Sequence, residues 1–493
     1  MKVLLIQPPI TLLPFEMRSV TTRSFTVPLG LAYLAAYLEN KGLEIEVLDC
    51  VVLGPNKPTT LDGLFHFGIN WSEIEAHIKK SKPDAVGISS LYSSQARNAH
   101  NIARIVKKFG VPVFMGGAHA SSATKDVLKD TNIDVVIMGE AEETTYHYLT
   151  NMGNLEKLKH LDGFAFRANG EIIINHRTRW ITALDEIPFP ARHLFPTELY
   201  SKAQTSYNYD MVRKPISSMI TSRGCPGNCV FCSVHNNCGR RWRPRSAENV
   251  VAEIELLVTR DGIKEIHLED DNFTIDRKRA IRICDLIIEK KLDVKFTIHN
   301  GVAIWTLDRE VLAKMKEAGF YKLCFGIESG DEETLKFMRK SLKLEKAKQV
   351  IKAANELGMW THGFFIIGFP YEEMASMLNT LKFAIRSELD FASFFIATPY
   401  PGTDLYQIMK KEGLIDDIDW TDIRVCAAAA DTKYFSKKEL ERVERNFYLR
   451  FTLSRLVRLF NPYFLRTRLK RIRSLADLMF VLRFGLRFLQ TVK

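Results

Sequence analysis

The sequence predicts an α/β protein: an N-terminal doubly wound, Rossmann-like parallel sheet, then a partial (β/α)6 barrel of the TIM type, then a C-terminal helical tail. Three observations carry this reading. From residue 1 to about 150, apolar runs ("KVLLIQ", "EIEVLD", "DAVGISS", "VPVFMGG", "DVVIMGE") alternate with helical stretches such as "LGLAYLAAYLENKG" and "ARNAHNIARIVKKFG". Strands separated by helix-length segments pair in parallel, and ligands in such sheets sit at the carboxyl ends of the strands, here "SSLYSS", "GGAHAS" and "GEAEET". A second series of six strand-helix units runs from "ISSMITSRG" through "IKEIHLEDDNF", "VKFTIHNGV", "KLCFGIESG" and "THGFFIIGFP" to "FASFFIATPYPGT", whose loops after the strands would carry the chemistry. Near the end of the chain, apolar residues recur at helical spacing instead.

At 493 residues the chain exceeds one ordinary domain, and we divide it at 1–150, 151–205, 206–410 and 411–493. The second segment carries an Asn-Gly hairpin signal in "FRANGEI" and proline-broken chain in "DEIPFPARHLFP", and reads as a linker holding a small hairpin. Eight cysteines are too sparse for a disulfide framework, no cleavable signal precedes "MKVLLIQPP", and a reducing cytoplasm is expected. The formal charge of +11 is uneven: ten basic residues and one acid, Asp477, follow Leu453, which leaves the body of the chain near neutrality. Basicity therefore describes a tail, and no nucleic-acid partner is expected.

"RGCPGNCVFCSV" places Cys225, Cys229 and Cys232 in the loop after the first barrel strand, in the spacing C-x3-C-x2-C. Zinc and iron-sulfur sites usually take four protein ligands. His235 and Cys238 follow closely and could complete a tetrahedral zinc site. A zinc ribbon is normally an independent module, however, whereas this loop is embedded in a barrel unit. Three cysteines at a barrel mouth suit a [4Fe-4S] cluster whose fourth iron is kept for an exogenous ligand.

With Phe231 as the aromatic residue before its last cysteine, this motif resembles the signature of the radical S-adenosylmethionine (SAM) enzymes. The resemblance implies that SAM chelates the open iron through its amino and carboxylate groups, and that an electron from the cluster cleaves it to a 5'-deoxyadenosyl radical. It also implies SAM contacts for Glu328 and Ser329 in "FGIESG", packing of "GFFIIGFP" near the adenosine, and a role for Asp270 and Asp271 near the methionine amine. Each of these acids could equally be a solvated loop residue or a helix cap.

The first segment resembles the cobalamin-binding domain of one large branch of this superfamily. Ser89-Ser90-Leu91 fits its S-x-L element, Gly116-Gly117 its paired glycines, and Gly139-Glu140 a G-E element. On this resemblance Ser89, Leu91, Gly116, Gly117, Gly139 and Glu140 contact cobalamin. The D-x-H-x-x-G motif that supplies a lower-axial histidine is absent after the first strand, and His119 reads as a loop residue. The implied cofactors are therefore a [4Fe-4S] cluster, SAM and cobalamin.

Two enzymatic readings follow from the resemblance. One is cobalamin-dependent C-methylation of an unactivated carbon of a hydrophobic or lipid-like substrate. The other is radical cyclisation or oxidation without net methylation, as in the anaerobic magnesium-protoporphyrin ester cyclase. A methylthiotransferase is disfavoured, because its first domain should carry its own cysteine triplet and this one has only Cys50. A non-catalytic cobalamin or redox sensor is the alternative of a different class. A reducing partner such as ferredoxin or flavodoxin is expected. In the tail, Leu475, Leu478, Met479, Leu482, Leu486 and Leu489 recur at helical spacing beside Arg483 and Arg487, after the basic run "RTRLKRIR". That pattern fits a helix lying on an anionic membrane, peripheral at its inner face, or a helix docked on the barrel with its arginines in water.

Overall fold

The structure, a computed structural model, describes the chain except residues 13–25, 55–57, 62, 208–210, 417, 419–422, 424–426, 470, 473–476, 478 and 480–493. Two compact units emerge. The first holds Met1–Tyr207, Ser233–Arg243 and Asp419–Ile423; the second holds Asn208–Cys232, Pro244–Ile418 and Arg424–Lys493.

In the first unit, strands β1 (Lys2–Gln7), β2 (Glu44–Asp49), β3 (Ala85–Ser89), β4 (Val113–Gly116), β5 (Val135–Ile137), β6 (Phe164–Ala168) and β7 (Glu171–Asn175) form one sheet. Its order is β2-β1-β3-β4-β5-β6-β7. The first five strands are parallel. Helices cover both faces, which is why β1 reads as an unbroken apolar run. Val3 and Leu5 pack toward helix Leu29–Asn40, while Leu4 and Ile6 pack toward helices Trp71–Ser81 and Ala96–Lys107. Strand order reverses between β1 and β3, which marks the crevice where such sheets bind ligands. The Asn-Gly hairpin turns with Asn169 at φ 51° and Gly170 at φ 82°. Rather than standing alone in a linker, it adds two antiparallel strands to the sheet, because Phe164 and Phe166 must be buried, and they pack beside Tyr148 and each other.

In the second unit, β8 (Ile216–Met219), β9 (Glu265–Leu268), β10 (Lys295–Val302), β11 (Phe320–Glu328), β12 (Trp360–Ile367) and β13 (Phe391–Ile396) lie side by side in chain order, all parallel. The ends do not meet among the described residues, so the barrel is open. Side chains alternate across each strand: Leu323, Phe325 and Ile327 join the apolar layer under the helices, which leaves Lys322, Cys324 and Gly326 on the inner face.

Helix Lys437–Arg458 seals β13, with Phe447, Tyr448 and Phe451 set edge-on around Phe394. A short helix, Pro462–Leu469, follows. Part of the basic run expected in water is instead internal. Arg468 Nε donates to Asp390 Oδ1 at 2.8 Å and Arg471 Nη1 to Asp390 Oδ2 at 2.5 Å, and both guanidiniums are buried. Arg455 closes the same corner by donating to the carbonyls of Leu389 and Ile385. The apolar repeat from Leu475 to Leu489 lies, apart from Asp477 and Met479, outside the described residues. Among the described residues, no helix is long and apolar enough to cross a membrane.

Candidate functional site

The cysteine loop leaves the carboxyl end of β8 and is braced from β9. Asp270, 1% exposed, accepts hydrogen bonds from Thr221 N (3.0 Å), Thr221 Oγ1 (2.7 Å) and Ser222 Oγ (2.5 Å). Its carboxylate is thus engaged by the strand that launches the loop, and it acts as a positioning residue. The next residue differs. Burial and the neighbouring Asp270 charge push the Asp271 carboxyl up to about 6, against a hydrogen bond from the backbone N–H of Gly224 that holds it down. Asn272, unremarked in the sequence, donates Nδ2–H to Cys225 Sγ at 3.0 Å.

Cys225 and Cys229 both border Gly227, whose added Cβ would stand 3.3 and 3.9 Å from their sulfurs. Burial pushes both thiols up, so their protons leave when metal arrives. Three thiolates in this spacing fit a cubane, in which each would hold a different iron.

β11 delivers the second half of the site. Glu328 ends the strand at φ 68°, a left-handed conformation that costs a β-carbon about 1–2 kcal/mol. Its carboxylate turns back over Gly326, where a Cβ would lie 2.7 Å from Oε1. Lys340 Nζ donates to that carboxylate at 3.0 Å. Burial opposes the lysine's charge, but Glu328, Cys229 and Cys225 outweigh it and raise the ammonium above its usual range. Lys340 is therefore a cation fixed beside the cluster loop. Ser329 is fully buried and shares a 2.9 Å bond with Thr380 Oγ1 while accepting from Asp331 N. It shapes the turn. Phe231 faces Phe369 at 6.3 Å, and Phe369 meets Phe337 at 5.7 Å, which walls the loop with aromatics. Glu372 accepts from the N–H groups of Gly368 and Phe369 and so holds the "GFP" turn; burial pushes its carboxyl up to about 7.

The barrel interior is unusually polar. The rings of His267 and His299 lie 4.2 Å apart. His362 Nε2 bonds Ser393 Oγ at 2.9 Å and its ring borders Phe364. Lys322, 0% exposed, lies 5.9 Å over Phe391. These groups set polar side chains among apolar rings on the inner face of the barrel. A separate cavity of about 330 Å³, lined by Arg213, Lys295, Lys316 and Tyr321 among others, opens at the amino ends of the strands, away from the cysteines.

In the first unit, Ser89 and Gly116 are paired across β3 and β4, and Gly117 lies against Ser90. Gly117 (φ 108°) is required by the fold, because a Cβ would stand 2.6 Å from Ser90 O. Gly116 is not: its Cβ would meet only Ile137 O, at 3.5 Å. Among the described residues, Ser90 Oγ, buried, has no hydrogen-bond partner, and Leu91 is 46% exposed at the same edge. An orphaned hydroxyl beside an unfilled glycine fits a large planar ligand at the carboxyl edge, as cobalamin would be. Gly139 lies under the Trp180 ring, and Glu140 is held by Arg243, whose Nη2 approaches its Oε1 to 2.7 Å. That carboxylate ties chain segments together. His119 is buried, its Nδ1 bonds Ser93 Oγ at 2.9 Å, and burial pushes it down to about 4, so it is a neutral internal residue. We expect Gly116→Leu to leave the fold and iron-sulfur absorbance intact while cobalamin retention falls about tenfold or more, since a leucine side chain would occupy the open space at that edge. Electron paramagnetic resonance of the bound cob(II)alamin should show no superhyperfine splitting from a protein imidazole.

Residues 219–384 match the radical SAM superfamily and residues 19–149 the B12 binding domain. An uncharacterized methyltransferase of Pyrococcus horikoshii is 34% identical over 86% of this chain and 88% of its own length. The cytidylyl-2-hydroxyethylphosphonate methyltransferase of Streptomyces wedmorensis is 33% identical over 84% of this chain and 83% of its own. Among solved structures, the cobalamin-dependent SAM radical enzyme OxsB with aqua-cobalamin and SAM bound shares the fold, with TM-score 0.70 and 18% identity over 98% of this chain and 72% of that one. TsrM from Kitasatospora setae shares it with TM-score 0.66 and 16% identity over 85% and 79%. With a three-thiolate loop at the mouth of an open barrel and an unfilled edge on the sheet before it, the chain belongs to the radical SAM superfamily, in the branch that carries a B12-binding domain and uses a [4Fe-4S] cluster, SAM and cobalamin.

Proposed function

We propose that this enzyme methylates an unactivated carbon of a hydrophobic substrate that also carries a hydrogen-bonding group. The observation that carries the reading is the joining, in one chain, of the thiolate loop with its fixed Lys340 cation and a sheet edge with space at Gly116. Two 33–34% identical relatives bear the name methyltransferase. When bound, the cluster, SAM and cobalamin supply a hydrogen-abstracting radical and a transferable methyl group. The chain's own residues bind and orient. Lys340 would neutralise the SAM carboxylate, Asp271 would accept a hydrogen bond from its amine, and Glu328 would turn toward the same ligand. Phe231 and Phe369 keep water from the loop. Ser89, Ser90, Leu91, Gly116 and Gly117 line the cobalamin edge, with Gly139 and Glu140 supporting it from the neighbouring strand.

Substrate enters the barrel interior, where Phe364 and Phe391 take its apolar part and His299 and His362 its polar part. A small electron carrier such as a ferredoxin or flavodoxin reduces the cluster. The tail from Leu475 onward gives the enzyme a peripheral address on the cytoplasmic face of a membrane, from which such a substrate could be drawn. To test the chemistry, reconstituted protein with cobalamin, reductant and trideuteromethyl-SAM would be incubated with a lipid-rich extract of its source cells. The expected result is 5'-deoxyadenosine together with a product carrying the labelled methyl. Deoxyadenosine without label transfer would favour cyclisation or oxidation, and no deoxyadenosine at all would leave only a sensor.

A further inference from the structure

The end of helix Lys437–Arg458, the turn after it and helix Pro462–Leu469 expose apolar side chains that a folded surface ordinarily hides. Phe460 at the turn is 89% exposed, Val457 68%, Leu469 55% and Leu453 49%, and Leu456 and Leu459 stand beside them at 44% each. Isolated exposed leucines are ordinary, but a run of them at the tip of a helical turn marks an interaction surface.

Charge indicates the occupant. Between Glu444 and Asp477 the sequence holds nine Arg or Lys and no acid. Arg455, Arg468 and Arg471 turn inward to Asp390 and backbone carbonyls. Arg445, Arg450 and Arg466 remain exposed on the same helices as the apolar tip. A hydrophobic protein partner would be met by apolar contact and polar bonds of both signs. A field of one sign around an apolar tip suits a surface that is negative at its face and hydrocarbon beneath it.

We propose that residues 445–469 form a membrane-docking element, in which Val457, Phe460 and Leu469 enter the interface of an anionic bilayer and Arg445, Arg450 and Arg466 meet its headgroups. The inference rests on the membrane address proposed above but assigns it to a different, structured segment. It is independent of the methylation chemistry.

The test is flotation of the full-length, cluster-loaded protein with phosphatidylglycerol-rich and with purely phosphatidylcholine vesicles, at low and high salt. Wild type should float with the anionic vesicles only, and less so at high salt. Because the altered residues are solvent-exposed, Val457→Ser/Phe460→Ser should keep its iron-sulfur absorbance and melting temperature. Each apolar group and each arginine adds to partitioning, so this variant and Arg450→Glu/Arg466→Glu should each bind about tenfold more weakly or worse. Failure of wild type to float would overturn the proposal. So would variants that float as wild type does; if a chain ending at residue 472 then failed to float, the remaining tail would be the anchor. A wild-type dimer in light scattering that becomes monomeric on Val457→Ser/Phe460→Ser would assign the surface to a second copy and overturn it equally.

Discussion

Replacing any one of Cys225, Cys229 or Cys232 by Ala is expected to remove the iron-sulfur absorbance and bring SAM cleavage to background. Each thiolate would hold one iron of the cluster. Cys50, Cys284 and Cys324 are buried in the strands and helices of the two units. Their conservative variants should retain the cluster; Cys426 lies outside the described residues. Cys238→Ala should retain it too, and loss of bound zinc in that variant would reinstate a zinc site. A finer effect is expected at Asn272. Its amide donates to Cys225 Sγ, and hydrogen bonds to cluster sulfurs raise the reduction potential. Asn272→Leu should therefore keep the cluster but lower its potential, as read by redox titration.

The second large effect is on stability. Asp390, 9% exposed, receives Arg468, Arg471 and the N–H and hydroxyl of Thr361, both at 3.0 Å. Burial alone would push its carboxyl up, but Arg471 and Arg468 outweigh burial and hold it below the ordinary carboxylate range. Asp390→Ala leaves buried guanidiniums without their anion, a loss that typically costs about 3–5 kcal/mol. Chemical denaturation should show a midpoint lowered accordingly, and a change under about 1 kcal/mol would show the pair to be dispensable. The pH dependence has a definite sign. A carboxyl depressed in the folded state contributes its stability above the unfolded pKa, about 3.9, and loses it as pH falls toward the folded value. The gap between wild type and Asp390→Ala should therefore narrow in acid.

How much of this was legible beforehand follows from distance along the chain. The cysteine motif could be read because its ligands fall within eight residues, Cys225 to Cys232. Both sheets could be read because parallel strands buried on two faces are locally apolar. Lys340 and Asn272 left no signal. One reaches Glu328 across 12 residues of turn and helix, and the other reaches Cys225 from 47 residues away, so only the folded strands bring them together. Asp270, Ser329 and Glu140 illustrate the converse. Sequence can mark a polar residue beside a site, but which partners its oxygens accept depends on the tertiary arrangement. For these three the partners are protein groups that brace the loop, the turn and the strand end. The arginines divided for the same reason: nothing in "RTRLKRIR" separates Arg466, which faces water, from Arg468 and Arg471, which meet a carboxylate on the edge of the barrel.

That last pairing bears on how the protein is made. Asp390 precedes the final barrel strand, and Arg471 lies 81 residues later. At ordinary synthesis speeds of about 5–20 residues per second, the edge of the nascent barrel waits on the order of ten seconds for its counter-charge. During that interval β13 cannot bury Asp390 without leaving an uncompensated anion, so the unit completes its core only once Arg468 and Arg471 have been made. A chain terminated early, just past the sixth strand, would contain every cluster ligand and still carry a hydrated, unsealed edge. Nonsense mutations far downstream of the cysteines should therefore act as folding defects, sending the product to proteolysis before iron can be inserted.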